Sequence, residues 1–311
     1  MHLSAPYLSS LSVDFNTQQA MKTRISRFVA ATVLLGTLSF GTATQAQYGG
    51  GGDSRSGDYN KKYGQYGGGR NFVALTSNNV LVRGNKSGQS PINVTGTNEN
   101  LLGIDYRPAN GMLYGITSTK VYTINVGTGV ATEVSTLSLN NQPIALKVGQ
   151  ESGVDFNPVV DRLRVVGSND QNFRINVDTG VVLMDGNINY AAGDRHAGQN
   201  PSLTAAAYTN SFAGGPDPKR TTSLYDIDFD RDVLTLQNPP NNGTLQTIGS
   251  LNVDFERTAG FNISGRNDAL AVSNSTLYEI DLRSGSARAV AKLPSDQYIG
   301  LSVSISADRN R

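Results

Sequence analysis

The residues best suited to chemistry are four aspartates at alternate positions in the segment Asp226-Ile-Asp228-Phe-Asp230-Arg-Asp232. Alternate carboxylates supply the hard oxygen ligands that Ca²⁺ prefers. The segment lacks the glycine that follows in a calcium loop and the glutamate at the twelfth position of such a loop. Because aspartate is also favoured in tight turns, the segment indicates either a calcium site or a hairpin turn, and the turn is the simpler interpretation.

A second set of polar residues follows a repeated pattern in which a small residue, usually glycine, comes two positions earlier. Its members are Asp105, Asp155, Thr209, Asn262 and Ser302, which follow Gly103, Gly153, Ala207, Gly260 and Gly300. If these segments converge on one axis, the ring can bind a polar ligand or a hard cation, with Asp105 and Asp155 as metal ligands. The alternative, which we favour, is that the ring satisfies buried backbone groups and ordered water.

The connection at residues 185–202 carries Asp194 and His196, and only two histidines occur in the whole chain. There is no cysteine and no Gly-x-Ser-x-Gly motif, so zinc sites and hydrolase triads lack their usual residues. We expect this loop to share one rim of the fold with the turn that holds Asp228 and Asp230. These four residues are therefore candidates for a rim site, and no complete catalytic set is identified.

Composition narrows the class of protein. The 311 residues include 26 Lys and Arg against 25 Asp and Glu, a formal charge of +1, which gives no basic surface for phosphates, so a nucleic-acid partner is not expected. The 34 glycines and the absence of cysteine favour short strands and tight turns held together without disulfides. We therefore predict an all-β fold.

The N-terminal region has the pattern of a secretory signal. Met21 opens a positively charged start, followed by an apolar run and then small residues, which predicts a signal peptide over residues 21–46. Residues 1–20 precede this better-formed start, and we expect translation to begin at Met21. The apolar run is too short to span a membrane. We therefore expect export to the periplasm or the cell exterior, with no membrane span in the mature chain and a disordered Gly/Tyr-rich linker over residues 47–70.

Beyond residue 70 the chain repeats a four-strand unit. First strands begin near residues 101, 152, 203 and 259, a period that suits four-stranded propeller blades. A fifth unit is split, because residues 72–94 supply three strands and residues 299–305 supply the missing first strand. We therefore predict a five-bladed β-propeller over residues 71–307, closed by pairing of the C-terminal strand with the N-terminal blade, which removes open sheet edges.

Four segments carry a resemblance to a known family. LLGIDYRPANGMLYGI, GVDFNPVVDRLRVV, AAAYTNSF and LQNPPNNGTL resemble the secreted domain of unknown function family 4394, and the resemblance extends over residues 71–305. It implies a propeller-like fold. It brings no established activity and no catalytic residues.

Three functions remain open on the sequence. We favour a non-catalytic binding module whose partner is an unknown small molecule or an extracellular protein or polysaccharide. A glycosidase would use Asp105 and Asp155 as its carboxylate pair, but the chain has no tryptophan to stack on a sugar. A metal-dependent hydrolase would hold an ion with Asp105, Asp155 and Asn262. No cofactor is predicted, although the axial oxygens suit a hard cation such as Ca²⁺.

Overall fold

The computed structural model describes residues 71–85 and 88–305. The expected N-terminal extension, signal peptide and linker, residues 1–20, 21–46 and 47–70, lie outside the described residues, as do residues 306–307 of the expected domain. Among the residues that are described, no helix has the length and apolar character needed to cross a membrane.

Short strands account for most of the regular structure, and we number the described ones in chain order. They are β1 (Phe72–Thr76), β2 (Val80–Asn85), β3 (Gly88–Asn93), β4 (Gly103–Tyr106), β5 (Leu113–Ile116), β6 (Lys120–Ile124), β7 (Ala131–Thr136), β8 (Ser138–Leu139), β9 (Gln142–Pro143), β10 (Ser152–Asn157), β11 (Arg162–Gly167), β12 (Asn172–Ile175), β13 (Val182–Met184), β14 (Asn189–Tyr190), β15 (Leu203–Tyr208), β16 (Leu224–Asp228), β17 (Val233–Gln237), β18 (Thr244–Ser250), β19 (Gly260–Ile263), β20 (Ala269–Ser273), β21 (Thr276–Ile280), β22 (Ala287–Lys292) and β23 (Tyr298–Val303). Pro240–Asn242 forms a 3-10 turn.

Five antiparallel sheets form the blades of a ring. Blade 1 is β4–β7, blade 2 is β10–β13, blade 3 is β15–β18, blade 4 is β19–β22, and blade 5 has the order β23-β1-β2-β3. The innermost strands β4, β10, β15, β19 and β23 contact one another in turn, and β23 contacts β4. The predicted all-β, five-bladed propeller is therefore confirmed.

The split blade closes as predicted. β23 pairs antiparallel with β1, with Phe72 opposite Val303 and Leu75 opposite Gly300, and all six residues of β23 are buried. Pairing of the last strand with the first covers the edge of β1 that would otherwise be open.

The core lies between neighbouring blades rather than within a single sheet. One apolar cluster is shared by blades 5 and 1 and another by blades 1 and 2. Glycine is required where the innermost strands approach most closely, because a Cβ atom on Gly153 would lie 2.4 Å from the backbone nitrogen of Ala206. The same close approach occurs at Gly260, where a Cβ atom would lie 2.4 Å from the carbonyl carbon of Gly300.

Two connections add structure that the repeat did not predict. In the connection at residues 185–202, β14 pairs parallel with β18 and adds a fifth strand to blade 3. In the connection at residues 137–151, β8 and β9 form a small hairpin. Both additions lie at outer parts of blades, where an insertion does not disturb the ring.

The connection between β15 and β16, residues 209–223, reaches across one end of the ring. Gly214 N–H donates to the carbonyl of Pro108 in blade 1, and Arg220 donates to the carbonyl of Pro158 in blade 2. Asn210 and Asn267 of blade 4 exchange two hydrogen bonds. These contacts extend the connection over blades 1, 2 and 4 at this end of the ring, and we call it the cap.

Candidate functional site

The aspartate-rich segment runs from the end of β16 into the turn between β16 and β17, and this turn lies at the position that the repeat predicts. Asp228 accepts hydrogen bonds from the Tyr190 hydroxyl at 2.6 Å and from Arg231 at 3.0 Å, and Asp230 accepts one from Ser202 at 2.7 Å. Asp232 accepts one from the Phe255 backbone. The carboxylates therefore have separate partners and do not converge on one point.

The axial residues form a hydrogen-bonded network from blade to blade. In each case a side chain on one innermost strand accepts from the backbone N–H of the next: Ser302 Oγ from Tyr106 at 3.0 Å, Asp105 Oδ2 from Phe156 at 2.9 Å, Asp155 Oδ2 from Tyr208 at 2.8 Å and Asn262 Oδ1 from Val303 at 3.2 Å. These bonds satisfy backbone donors that face the axis, where an innermost strand has no second neighbour.

A second layer of bonds joins the side chains to each other. Asn262 Nδ2 lies 3.1 Å from both Asp105 Oδ1 and Asp155 Oδ1, and it donates to each. Ser302 Oγ donates to Asp105 Oδ1 at 2.6 Å. All four side chains are at most 4 % exposed, so we call Asp105, Asp155, Asn262 and Ser302 the axial network.

The fifth expected member, Thr209, does not belong to this network. It follows the end of β15, and its hydroxyl accepts from Ser223 N–H at 2.8 Å. Tyr208 occupies the position of Phe156, because its N–H donates to Asp155, so the residue equivalent to Asp155 is Ala207. The prediction of Thr209 as a member of the ring is therefore wrong, because Ala207, two residues earlier, holds that position. Among the described residues, blade 3 contributes no polar side chain to the axial network.

Burial determines how the two axial carboxyls hold protons. Desolvation raises the pKa of Asp105 from 3.8 to about 6, although bonds from Ser302 and the Phe156 backbone oppose the rise. Desolvation and the nearby charge of Asp105 raise the pKa of Asp155 well above its ordinary value, whereas a bond to Asp155 lowers that of Asp105. Asp155 is thus the member that keeps a proton while Asp105 is ionised.

Little space remains around the axis. The innermost strands enclose a cavity of about 10 Å³ lined by Gly103, Gly153, Gly260 and Gly300 with their neighbours, which is room for about one water molecule. Both carboxyls lie outside the lining of this cavity and are at most 3 % exposed, so neither offers a surface to a sugar or lactone ring.

The hydrogen bonds to Asp105 and Asp155 also affect whether these residues can bind the expected calcium ion. Ca²⁺ needs six to eight oxygen ligands, but Asp105 and Asp155 already accept from backbone N–H groups, and the Asn262 amide is directed at both. This arrangement suits a shared proton better than a divalent cation. Calcium binding at Asp105 and Asp155 remains a prediction for calorimetry.

The rim candidates lie together around blade 3. Asp194 accepts from the backbone and hydroxyl of Thr247 at 2.6 and 2.7 Å and from His196 N–H at 2.9 Å. The His196 ring lies 5.3 Å from that of Tyr190, whose hydroxyl binds Asp228. The carboxylates of this rim therefore anchor the 185–202 connection to blade 3.

The sequence did not predict a buried polar cluster that lies between blades 2 and 3. Arg164 is 1 % exposed and donates to Tyr208, Asn172, Asp185 and Asn241. Asp226 is fully buried, and neither of its oxygens has a hydrogen-bond partner among the described residues. Desolvation raises its pKa well above the ordinary value, and the charge of Arg164 opposes that rise.

The ring of five sheets and its saturated axial network define a closed five-bladed β-propeller. The chain belongs to the family described as Domain of unknown function (DUF4394), which matches residues 80–302. A search of the curated proteins finds no match to this chain.

Two solved structures resemble the fold. One, reported under "The de novo evolutionary emergence of a symmetrical protein is shaped by folding constraints", is 11 % identical and has a TM-score of 0.46, with 75 % of this chain and 97 % of that chain covered. The other is a structural genomics protein of unknown function from Bacteroides thetaiotaomicron VPI-5482, 14 % identical, with a TM-score of 0.44 and coverage of 77 % and 68 %. The fold assignment here depends on the strand pairing described above.

Proposed function

We propose that this protein is an exported, non-catalytic binding module that uses its outer surface rather than its axis. The observation that carries the proposal is the saturation of the axial network, where both carboxyls already have protein donors. An axial cavity of about 10 Å³ cannot admit a substrate ring. The axial carboxyls are accordingly structural groups that join the blades.

The surface has the features of a binding module. A groove of about 620 Å³ lies at one end of blade 1, within the volume range of ligand sites. The formal charge of +1 gives no general attraction to nucleic acid. An extracellular protein or polysaccharide, or an uncharged small molecule, is the class of partner that we propose.

The test pairs binding with catalysis. The mature chain is applied to glycan and peptide arrays and to chromogenic glycosides and lactones, in parallel with Asp105→Asn and Asp155→Asn variants. We expect saturable array binding of the same affinity in all three proteins. We expect no turnover that depends on either aspartate, because neither carboxyl reaches a substrate.

Two outcomes would contradict the proposal. Turnover of a glycoside or lactone that disappears in the Asp105→Asn variant would make the protein a hydrolase. Failure to bind any array component saturably would remove the binding function. Circular dichroism of each variant shows whether the fold is retained before either result is interpreted.

A further inference from the structure

The cap, residues 209–223, holds an arginine whose hydrogen-bond acceptors in the described part of the chain are neutral. Arg220 donates through Nη1 to the carbonyls of Pro158 and Phe212, at 3.2 Å in each case. Its guanidinium carbon lies 4.0 Å from the centre of the Phe212 ring. Asp217 acts on this cation through its charge, without a hydrogen bond to the guanidinium. These contacts occupy Nη1 and one face of the guanidinium.

The edge of a guanidinium that is formed by Nε and Nη2 binds carboxylates elsewhere in this propeller. In three pairs, both nitrogens of that edge donate to the two oxygens of one carboxylate: Arg107 with Asp161, Arg174 with Asp185 and Arg257 with Glu151. Such two-point contacts are stronger and more specific than single hydrogen bonds. The Nε and Nη2 edge is therefore the carboxylate-binding edge of these arginines.

In Arg220 the same edge lacks a carboxylate from the described residues. Its Nε is buried and has no hydrogen-bond partner among them. Its Nη2 lies beside Gly214, because a Cβ atom at Gly214 would lie 3.2 Å from Nη2. A Cβ atom at Gly215 would have no neighbouring atom within 4 Å. These two glycines therefore place no side chain of their own next to Nη2.

An Nε–H group without an acceptor is unfavourable at a buried position. It has lost the hydrogen bond that water would supply, and no protein acceptor replaces that bond. Desolvation also lowers the pKa of Arg220, because burial disfavours the charged form. The cap holds a second group of this kind, since the Ser211 hydroxyl is buried without a partner among the described residues. An anion at the Nε and Nη2 edge would satisfy Nε–H and balance the charge of the guanidinium.

We propose that the Nε and Nη2 edge of Arg220 binds the carboxylate of a small organic acid. A monocarboxylate carries the single negative charge that one guanidinium requires, and its two oxygens match the two nitrogens of the edge. A phosphate dianion would bring a second negative charge close to Asp217. The lining of the blade 1 groove contains no residue of the cap, so this site goes beyond the proposed function and does not depend on it.

NMR of the arginine side chains in the isotope-labelled full chain tests the site directly. Acetate replaces chloride stepwise at constant ionic strength, and the Nε–H resonance of Arg220 is followed, with the Arg220→Lys variant used to assign it. We expect a saturable shift, because bound acetate accepts a hydrogen bond from Nε–H. The Nε–H resonance of Arg107 is the internal control. It should not move, since Asp161 already accepts from it at 2.9 Å.

The same variant separates the charge of Arg220 from the geometry of its edge. Lysine keeps the positive charge but offers one nitrogen, so acetate binding, followed at the backbone N–H of Gly214, should weaken about tenfold through loss of one charge-assisted hydrogen bond. Equal affinity in Arg220→Lys would overturn the two-point contact.

The titration of the wild type decides the proposal even if the variant folds poorly. An Arg220 Nε–H resonance that does not saturate with acetate, or an equal response at Arg107, would overturn the site. A parallel titration with phosphate tests the class of anion. Saturation at lower concentrations of phosphate than of acetate would overturn the assignment to a carboxylate, whereas weaker binding of phosphate is the expected result.

Discussion

The ionisation of Asp105 predicts a specific dependence of stability on pH. Burial raises its folded-state pKa from 3.8 to about 6, so the unfolded chain ionises first as pH rises. Stability is then fully present below the unfolded pKa and is lost as pH rises through the folded pKa. At about 1.36 kcal/mol per pH unit, the rise from 3.8 to about 6 corresponds to a loss of about 3 kcal/mol by pH 7.

An Asp105→Asn variant removes this contribution, together with the charge that helps to raise the pKa of Asp155. Asparagine keeps the shape but cannot ionise, and it loses one acceptor for the buried donors of Phe156, Ser302 and Asn262, a cost of about 1–3 kcal/mol. We expect the variant to be the less stable protein near pH 3.5. By pH 7 the difference in unfolding free energy should have moved by about 3 kcal/mol in favour of the variant.

Urea unfolding followed by circular dichroism at several pH values measures this difference. Distant carboxyls cancel when variant and wild type are compared at the same pH. Thr209→Ala is the matched control, because Thr209 lies outside the axial network, and its cost should be constant with pH. A difference for Asp105→Asn that is also constant with pH, or that moves against the variant, would refute the reasoning.

Three further results are expected. Asp226→Asn should match the wild type near pH 4 and exceed its stability at pH 7, because a buried carboxyl with a raised pKa costs stability as pH rises; equal unfolding midpoints at both pH values would contradict this. Deleting residues 299–311 should expose sheet edges and give aggregates in light scattering, whereas deleting only residues 306–311 should give a monodisperse protein. N-terminal sequencing of exported material should begin at Gln47, and a start at Met1 or Met21 would exclude the signal peptide.

The architecture could be predicted from sequence because the blades repeat one pattern of four strands joined by turns. Short apolar strands and turns with Asn, Asp and Gly recur at one spacing. Even the split blade was visible, since three strands at one end lacked a first strand and the other end supplied one. The strand register, with Phe72 opposite Val303, could be established only from the structure.

The axial network was predicted only in part, and the error at Thr209 has an identifiable cause. The sequence alignment matched Ala207 to the leading glycines, which placed Thr209 at the position of Asp155. Aligning instead on the aromatic residue that follows, Tyr208 with Phe156, would have given the register that the structure shows. The backbone N–H group of this aromatic residue donates to the preceding axial aspartate, so the aromatic residue identifies the register better than the glycine does.

Interactions between blades could not be read from the chain. Arg164 and Asp226 lie on strands of different blades and approach one another only when the ring is assembled. Sequence reasoning treated Asp226 as part of a turn, although it lies inside β16, two residues before the strand ends. The environment of the Asp226 carboxyl depends on the residues of blade 2 that face it, which include Arg164.

Closure of the ring by β23 has a consequence for biogenesis. The strand that completes blade 5 is the last of the domain to be synthesised, while its partner β1 is the first. Blade 5 therefore stays incomplete until β23 has been synthesised. A chain that ends before β23 lacks the first strand of this blade. Completion of the ring therefore depends on synthesis of the whole domain.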